Sequence, residues 1–316
     1  MDNLLARFAE NGFWIARYLE RVENLARILD VNETFSRKND GEQDWLPVVE
    51  LYADNERYFK NYREASAASV IRFYVIDRDN PGSIISILRK ARENAREIRH
   101  LISTEMWMQI NIFYNRISAL SPRQLTSSKL SSLCLTIKLD CQRHTGIVEG
   151  TLYHDQLWHF YELGQYIERA DMGTRLLDIK YHRLLPSTEE VGSAIDIAEW
   201  NALLRSVAGY HAYRRIHPTE MELQNIAGFL LFDKNFPRSV AACIELIQYH
   251  INSLRNYPGL WHTEMPMKTL AALYGTCQTY DILTVIEEGM HEFLDRFQAL
   301  LVELSDDLGQ TYFGHQ

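Results

Sequence analysis

The chain has 316 residues, of which 46% are hydrophobic and 24% are charged, and its formal net charge is −9. This composition is typical of a globular protein with a sizeable core and excludes a disordered or collagen-like chain. The acidic balance argues against a general nucleic-acid binder. No segment approaches the roughly 18 apolar residues of a membrane span.

Apolar residues at helical spacing predict a chain of consecutive helices. A first helix covers 3–36, and a helix-rich region from 47 to 77 is interrupted near 63–66. Asn80-Pro81 predicts the start of a helix that runs to about 102, because proline is favoured at the first helical position. Further helices are predicted at 103–119, 127–150, 155–184, 195–215, 219–232, 237–256, 267–278 and 280–308. No run alternates like a strand, so the predicted fold class is all-α.

Two stretches of the chain recur, which indicates an internal duplication. At a shift of 148 positions, residues 18–21 (YLER) fall on residues 166–169 (YIER). At a shift of 156, Phe73, Asp77, Pro81 and Ser83 fall on Phe229, Asp233, Pro237 and Ser239. We predict two copied halves, 1–154 and 155–316, packed as pseudo-symmetric helical bundles in one body. Most of the negative charge belongs to the second half, which carries −10 against +1 in the first.

The recurring Glu-Arg pair, Glu20-Arg21 and Glu168-Arg169, is unusual within apolar helices. Arg21 lies in a largely apolar helical row and is expected to be buried, which requires a carboxylate or several carbonyls around it. One reading is structural, with ion pairs that join the two halves. The other is functional, with both motifs presenting carboxylates and guanidinia to a substrate in a shared cleft, where perturbed pKa values permit acid–base work.

A second charged pattern lies in ILRKARENAREIRH, residues 87–100. Four arginines share one face of this predicted helix: Arg89, Arg92, Arg96 and Arg99. Four aligned guanidinia suit the recognition of carboxylate or phosphate, although a solvated face partly neutralised by Glu93 is the simpler reading. The corresponding row in the second half is Glu245, Gln248, Asn252 and Arg255, so the arginines serve one half only.

Other patterns give weaker signals. Two E-x-x-H pairs, Glu97/His100 and Glu288/His291, resemble di-iron ligands, but they do not occupy matching repeat positions and we predict no metal site. Asp155 and His159 are four residues apart, and an exposed helix-start pair is favoured over a general base. The aromatic residues Trp158, Phe160 and Tyr161 are predicted to belong to the core.

The cysteines and the N-terminal residues bear on the cellular compartment. The four cysteines show no CxxC pair and no metal-ligand spacing, so we expect buried free thiols. The first residues, MDNLLARFAENG, lack the apolar core of a signal peptide. Both observations favour a reducing, cytoplasmic location.

The chain carries in order YLERVENLAR (18–27), RFYVIDRDNPGSI (72–84), ARENAREIR (91–99), LGQYIERADMGTRLLD (163–178) and a terminal Tyr312-Phe313. This ordered set resembles the bacterial alpha-E domain family over essentially the whole chain. The resemblance implies an all-helical cytoplasmic protein without an established activity. It also implies a genetic association with a circularly permuted ATP-grasp ligase and with transglutaminase-like and amidohydrolase-type proteins, in the formation or processing of amide bonds.

The resemblance also nominates the site residues. The motif positions carried over are Glu20, Arg21, Arg72, Asp77, Asp79, Arg92, Glu93, Asn94, Arg96, Glu168, Arg169 and Asp171, to which the repeat adds Arg175. Two segments depart from the family pattern, Tyr153-His154-Asp155-Gln156 and the position of Gly173. No cofactor is expected, and because no G-x-x-x-x-G-K-[ST] loop occurs, ATP chemistry would come from a separate protein.

Two functions are compatible with these residues. The first is a non-catalytic helical partner of a separate ATP-grasp ligase, which holds the acceptor or the ligase itself. The second is an enzyme of the same pathway that uses the Glu-Arg and arginine-face residues on a carboxylate-bearing substrate.

Overall fold

The structure is a computed structural model that describes residues 4–38, 45–183, 194–219, 221–260 and 264–315. Every regular element within these ranges is helical, which confirms the all-α fold class. None of the described helices is both long enough and apolar enough to cross a membrane.

The described residues form two units. The first unit is Trp14–Tyr153, and the second combines the described parts of Met1–Phe13 and His154–Gln316. Helix α1, Ala6–Lys38, contributes its first residues to the second unit and the rest to the first. The origin of the two halves as copies of one another stays a prediction.

The described residues of the first unit also form α2 Leu46–Leu51, α3 Asn55–Asn61, α4 Ala67–Val75, α5 Ile84–Glu97, α6 Thr104–Ser118 and α7 Ser127–Thr151. Helix α6 packs against both α5 and α7. The buried face of α5 follows the apolar row that the sequence shows, with Leu88, Ala91 and Ala95 fully buried. An amphipathic helix of this kind gains most of its stability from burying that face.

The second unit contains α8 Gln156–Arg183, α9 Ala194–Ser206, α10 Tyr210–Ile216, α11 Leu223–Phe232, α12 Val240–Leu254, α13 Glu264–Thr279, α14 Ile282–Glu288 and α15 Met290–Leu308. Helix α8 is central and packs against α12 and α15, while α13 packs against the same two helices. The start of α1 approaches α8 so closely that a Cβ atom at Gly164 would overlap the carbonyl oxygen of Phe13. Glycine at this position permits the close helix contact.

Several predicted helices are divided in the structure. The predicted interruption near 63–66 is confirmed, but an additional break separates α2 from α3 at Ala53, which has φ 51°. The predicted helix 195–215 is broken at Ala208 (φ 59°), and the predicted helix 280–308 is broken at Gly289 (φ 104°). Positive φ values interrupt the helical hydrogen-bond ladder, and alanine gives no sequence signal for them. The predicted ends at 3 and 184 and position 220 lie outside the described residues.

Serine, and not proline, sets the starts of α5 and α12. Helix α5 begins after Ser83, whose hydroxyl accepts a hydrogen bond from the backbone N–H of Ser86, and Pro81 precedes the helix. Helix α12 begins in the same way after Ser239, whose hydroxyl accepts from the N–H of Ala242. The predicted start at Pro81 was therefore wrong, because the N-cap hydroxyl two residues later satisfies the first free donors of the helix.

The loops before these two helices share further hydrogen bonds. Ser83 donates to the carbonyl of Asp77 over 2.5 Å, and Ser239 donates to the carbonyl of Asp233 over 2.6 Å. The carboxylate of Asp77 accepts from the next-but-one backbone N–H, as does that of Asp233. The same turn therefore occurs at both places where the sequence recurs.

Candidate functional site

The two Glu-Arg motifs bury the acid more deeply than the base. Glu20 is 5% exposed and Glu168 is 1% exposed, whereas Arg21 and Arg169 are half-buried. The expectation that Arg21 would be the buried member was wrong. A long arginine side chain can carry its charge from an apolar row towards solvent, which a glutamate on the buried face cannot do.

Each motif is followed by an ion pair between two residues that are one helical turn apart. In the first unit, Arg27 and Glu23 are 2.6 Å apart, and in the second, Arg175 and Asp171 are 2.9 Å apart. Both pairs have i,i+4 spacing. Such pairs stabilise the helix locally, and each carboxylate already has a guanidinium partner from its own helix.

In the second unit, side chains on the same helical row of α8 as Arg169 make a series of polar contacts, called the ladder below. Tyr166 makes a side-chain hydrogen bond with Glu162, which is 3% exposed, and the guanidinium of Arg169 lies 5.5 Å from the centre of the Tyr166 ring. Burial raises the pKa of Tyr166, so its phenol stays protonated and serves as a donor.

The ladder ends at a pair of buried histidines. The Nδ1 atoms of His159 on α8 and His250 on α12 are 2.9 Å apart, so one imidazole donates a hydrogen bond to the other. Burial lowers the pKa of His159 to about 4 and that of His250 to about 3, and both rings are therefore neutral at pH 7. No sequence pattern indicates this contact, because its partners are 91 residues apart.

The predicted Asp155/His159 pair does not form. The carboxylate of Asp155 accepts from the backbone N–H of Leu157, and His159 is buried, so the expectation of an exposed pair was wrong for the histidine. Phe160 and Tyr161 are core residues, as predicted. Trp158 is half-buried and stacks on the ring of His154 with a centroid distance of 4.0 Å.

The four arginines predicted on one helix face (Arg89, Arg92, Arg96 and Arg99) are called the Arg face below. The predicted extension of this helix to about 102 was wrong: α5 ends at Glu97, so Arg99 lies in the turn that follows. Arg92 is half-buried, and the other three are exposed. Helix α6 positions Arg92: its Nε donates to Asn111 Oδ1 over 2.6 Å, and its guanidinium lies 5.4 Å from the ring centre of Tyr114 and 5.9 Å from that of Trp107. Arg99 lies over the same tryptophan at 5.4 Å.

Little negative charge opposes the Arg face. Arg96 lies 3.8 Å from Glu97, and both side chains are more than half exposed. In the described part of the chain, no carboxylate comes within ion-pair distance of Arg89, Arg92 or Arg99. Of the neighbouring motif residues, Glu93 is exposed and Asn94 is half-buried.

Three further predicted residues lie at or after the end of α4. Arg72 is exposed on the last turn of the helix. Asp79 is also exposed, and its backbone N–H donates to the carboxylate of Asp77 over 3.0 Å. Asp77 thus has a structural part in the turn before α5.

The interior of the first unit holds polar groups that the sequence analysis missed. Asp140 on α7 is 2% exposed, pairs with Arg116 of α6 and accepts a 3.4 Å hydrogen bond from Gln109. One residue on, the thiol of Cys141 contacts the carbonyl of Leu19 at 3.8 Å. Burial raises the pKa of this thiol well above its ordinary value and lowers that of His144 to about 3.

A second buried carboxyl, Asp54, lies near the start of α3. It pairs with Arg57 and accepts a hydrogen bond from the Tyr74 hydroxyl over 3.1 Å. Burial raises the pKa of Asp54, opposed by the nearby Arg57 charge. The first unit thus buries two carboxyls, Asp54 and Asp140, each with an arginine partner.

In neither E-x-x-H pair do the glutamate and the histidine pair with each other. Glu97 lies next to Arg96, and Glu288 pairs with Arg296 over 3.1 Å. His291 instead lies between two aspartates, with its Nδ1 atom 2.8 Å from Asp178 and its Nε2 atom 3.5 Å from Asp295.

Two surface cavities of about 340 and 330 Å³ lie in the second unit. Aromatic residues line both, including Phe293 and Phe297 in one and Phe229 and Phe232 in the other. No predicted site residue lines either cavity.

Comparison with known proteins gives relatives of unassigned function. Uncharacterized proteins of Mycobacterium bovis (Mb2597) and Mycobacterium tuberculosis (MT2643 and Rv2567) are 24% identical over 335 aligned residues, which cover 96% of this chain. The chain spans 36% of the length of these relatives. No solved structure matches the chain. The alpha-E family, described as a predicted alpha-helical domain with a conserved ER motif, matches residues 4–313, and the chain belongs to this family.

Proposed function

We propose that the protein is a helical binding component of an ATP-grasp-linked system that makes or processes amide bonds in peptides or peptide-like molecules. In this proposal the Arg face holds a carboxylate-bearing acceptor, and a separate circularly permuted ATP-grasp ligase supplies the ATP chemistry. A transglutaminase-like protein is a further candidate partner. The observation that carries the proposal is the row of guanidinia along α5 and the turn after it, of which Arg92 is half-buried and the other three are exposed.

The geometry of the Arg face favours planar anions. A guanidinium offers paired donors that match the two oxygens of a carboxylate. The Nε–H of Arg92 donates to Asn111, and the adjacent rings of Trp107 and Tyr114 restrict the movement of the arginine side chain. A side chain that is already positioned loses less conformational entropy when it binds a ligand. Arg92 is therefore the expected anchor, with Arg89, Arg96 and Arg99 as flanking contacts.

The ionisation of the buried histidines and of two buried cysteines makes these groups poor candidates for catalysis. A general base works best when its pKa is near the ambient pH, but His144, His159 and His250 have pKa values of about 3 to 4. Thiol nucleophiles react as thiolates, yet burial raises the pKa of Cys134 and Cys277 to about 12. These groups stay neutral and weakly reactive at pH 7.

A direct test uses labelled hexaglutamate, with hexaglutamine as the uncharged probe, and measures fluorescence anisotropy. Wild-type protein is expected to bind hexaglutamate and not hexaglutamine. The double variant Arg92→Ala/Arg96→Ala is expected to weaken binding at least about tenfold, which corresponds to about 1.4 kcal/mol. Arg123→Ala, at an exposed arginine of the same unit, is the matched control. Equal binding by wild type and the double variant would contradict the Arg-face proposal.

The partner is tested by affinity purification from the native cell and mass spectrometry. We expect an ATP-grasp ligase to co-purify with the wild-type protein. Arg92→Ala and Glu168→Gln are expected to reduce partner binding or stability. If either variant keeps its melting temperature and its partner but abolishes product formation, the protein is instead an enzyme of the pathway. If no ligase co-purifies and none is encoded nearby, the proposed association fails.

A further inference from the structure

We propose that Asp178, His291 and Asp295 form a binding site for a divalent transition-metal ion of the Zn²⁺ type on the second unit. The site is separate from the Arg face and does not depend on the proposed function.

The three side chains converge from two helices. Asp178 comes from α8, and His291 and Asp295 come from α15, one helical turn apart. One ligand atom from each residue lies within 4.8 Å of the other two. Two ligands at about 2.0–2.2 Å from one ion are about 3–4 Å apart, so small side-chain rotations bring the set to bonding distance. Histidine and carboxylate at i,i+4 spacing on a helix can ligate one ion together.

The side chains are accessible without being wholly solvated. Asp178 is 14% exposed, His291 39% and Asp295 59%, so an ion could enter from solvent and keep water ligands. Arg296, the adjacent cation, is engaged with Glu288. In the described residues, no lysine or arginine pairs with Asp178 or Asp295.

In the first unit, the residues that correspond to this cluster form an ordinary ion pair. At a shift of 153, buried residues of α7 (Ile137, Asp140, Cys141, His144 and Val148) fall on buried residues of α15 (Met290, Phe293, Leu294, Phe297 and Leu301). The same shift puts Lys138 on His291 and Gln142 on Asp295. Lys138 pairs with Asp30 over 2.6 Å, and Asp30 matches Asp178 in the repeat.

The second unit therefore replaces a permanent cation with an imidazole and a neutral amide with a carboxylate. Both changes add metal-ligand atoms, and the first removes the ammonium group that would compete with an ion. One imidazole and two carboxylates suit Zn²⁺, Mn²⁺, Co²⁺ or Ni²⁺, whereas Mg²⁺ and Ca²⁺ prefer all-oxygen sites. An ion bound here would hold α8 and α15 together, as the Lys138–Asp30 pair joins α1 and α7.

The test uses the untagged full chain after removal of metals with a chelator. Titration with CoCl₂, followed by visible d–d absorption, and with ZnCl₂, followed by calorimetry, is expected to show one bound equivalent. Zn²⁺ is expected to displace Co²⁺ and to raise the melting temperature.

His291→Lys is the decisive variant, because it recreates the ion pair of the first unit at this position. It is expected to keep the metal-free melting temperature of the wild type and to lose the bound equivalent, and Asp178→Asn is expected to weaken binding at least tenfold. Lys138→Met, in the first unit, is the control and leaves the stoichiometry at one. The proposal is overturned if the wild type binds no ion, or if His291→Lys binds Co²⁺ as tightly as the wild type does.

Discussion

The two units use the same turn before α5 and α12 but differ in the side chains behind it. In the first unit, Tyr74 and Asp54 form a buried polar contact, and Asn80 donates to the carbonyl of Phe73. In the second, Phe229 and Phe236 stack at 4.5 Å in the corresponding place. The backbone hydrogen bonds of the turn are thus compatible with a polar or an aromatic interior.

The same contrast holds between α7 and α15. Asp140 and His144 are buried on α7, whereas Phe293 and Phe297 are buried at the matching positions of α15. The second unit has buried polar groups at other positions, in the ladder on α8 and in the 2.6 Å hydrogen bond from Thr269 to Asp307. Recurrence in the sequence therefore predicts the N-caps of α5 and α12 and the buried acids of the Glu-Arg motifs, but it does not predict every buried polar group.

The largest expected effect concerns an aromatic contact that both units share. Phe73 meets Tyr58, and Phe229 meets Tyr213, each pair edge to face at 5.1 and 5.5 Å. Phe73→Ala and Phe229→Ala are each expected to lower the free energy of unfolding by about 3–5 kcal/mol, because each leaves a cavity in a packed core. Denaturant unfolding measures both losses. Costs that differ by more than twofold would contradict the structural equivalence of the two contacts.

Acidification is expected to affect the second unit more than the first. The folded pKa values of His159 and His250 lie below the ordinary 6.5, so their stabilising effect is complete above about pH 6.5 and is lost as the pH falls towards 4. By pH 5 the loss is about 2 kcal/mol for each imidazole. Among its described residues, the first unit buries one such histidine, His144.

Hydrogen exchange followed by mass spectrometry between pH 7.5 and 5 separates the units in this test. The titratable groups that face the histidine pair are Tyr166 on α8, Tyr249 on α12, and His154 and Tyr257 beside the two helices. The double variant His159→Asn/His250→Asn, which carries no imidazole here, is expected to flatten the acid response of the second unit. An unchanged response would assign it to other groups.

Removal of either N-cap hydroxyl is expected to have a smaller and equal effect. Ser83→Ala and Ser239→Ala each leave a helix N–H and a loop carbonyl without their partner, at a cost of about 2 kcal/mol. The control is Ser253→Ala, whose hydroxyl donates back to the carbonyl of Tyr249 within the same helix, and it is expected to cost less than about 0.5 kcal/mol. Thermal and denaturant unfolding give the values. A large difference between the two caps would show that the turns are not energetically alike.

The smallest expected effect concerns the ion pair between α1 and α7. Lys138 and Asp30 are 18% and 21% exposed, so Lys138→Met is expected to cost about 1 kcal/mol or less. The loss is expected to shrink in high salt, because ions screen the attraction that the variant removes. A loss of several kcal/mol would mean that the lysine also supports the core.

Much of the fold follows from the sequence, because helical apolar rows are long and glycine and proline are sparse. The Arg face is also readable, since spacing alone puts Arg89, Arg92 and Arg96 on one side of a helix. The breaks at Ala53 and Ala208 could not be predicted, because alanine at positive φ is held by tertiary packing and not by its own preference.

Contacts between residues that are distant in the sequence are the main feature that could not be predicted. His159 was assigned to a local pair with Asp155, whereas its actual partner lies on α12. For the same reason the polar environment of Asp140 was not foreseen, since Arg116 and Gln109 come from another helix. Helical periodicity indicates on which face of a helix a residue lies, but it does not indicate which other element packs against that face.

The burial of all four cysteines has a practical consequence for experiments. Cys134 and Cys141 lie in the first unit, and Cys243 and Cys277 lie in the second. A maleimide or iodoacetamide probe cannot reach a buried sulfur until the surrounding helices open. Timed alkylation and peptide mapping would therefore report which bundle opens first, with two native reporters in each and no engineered label.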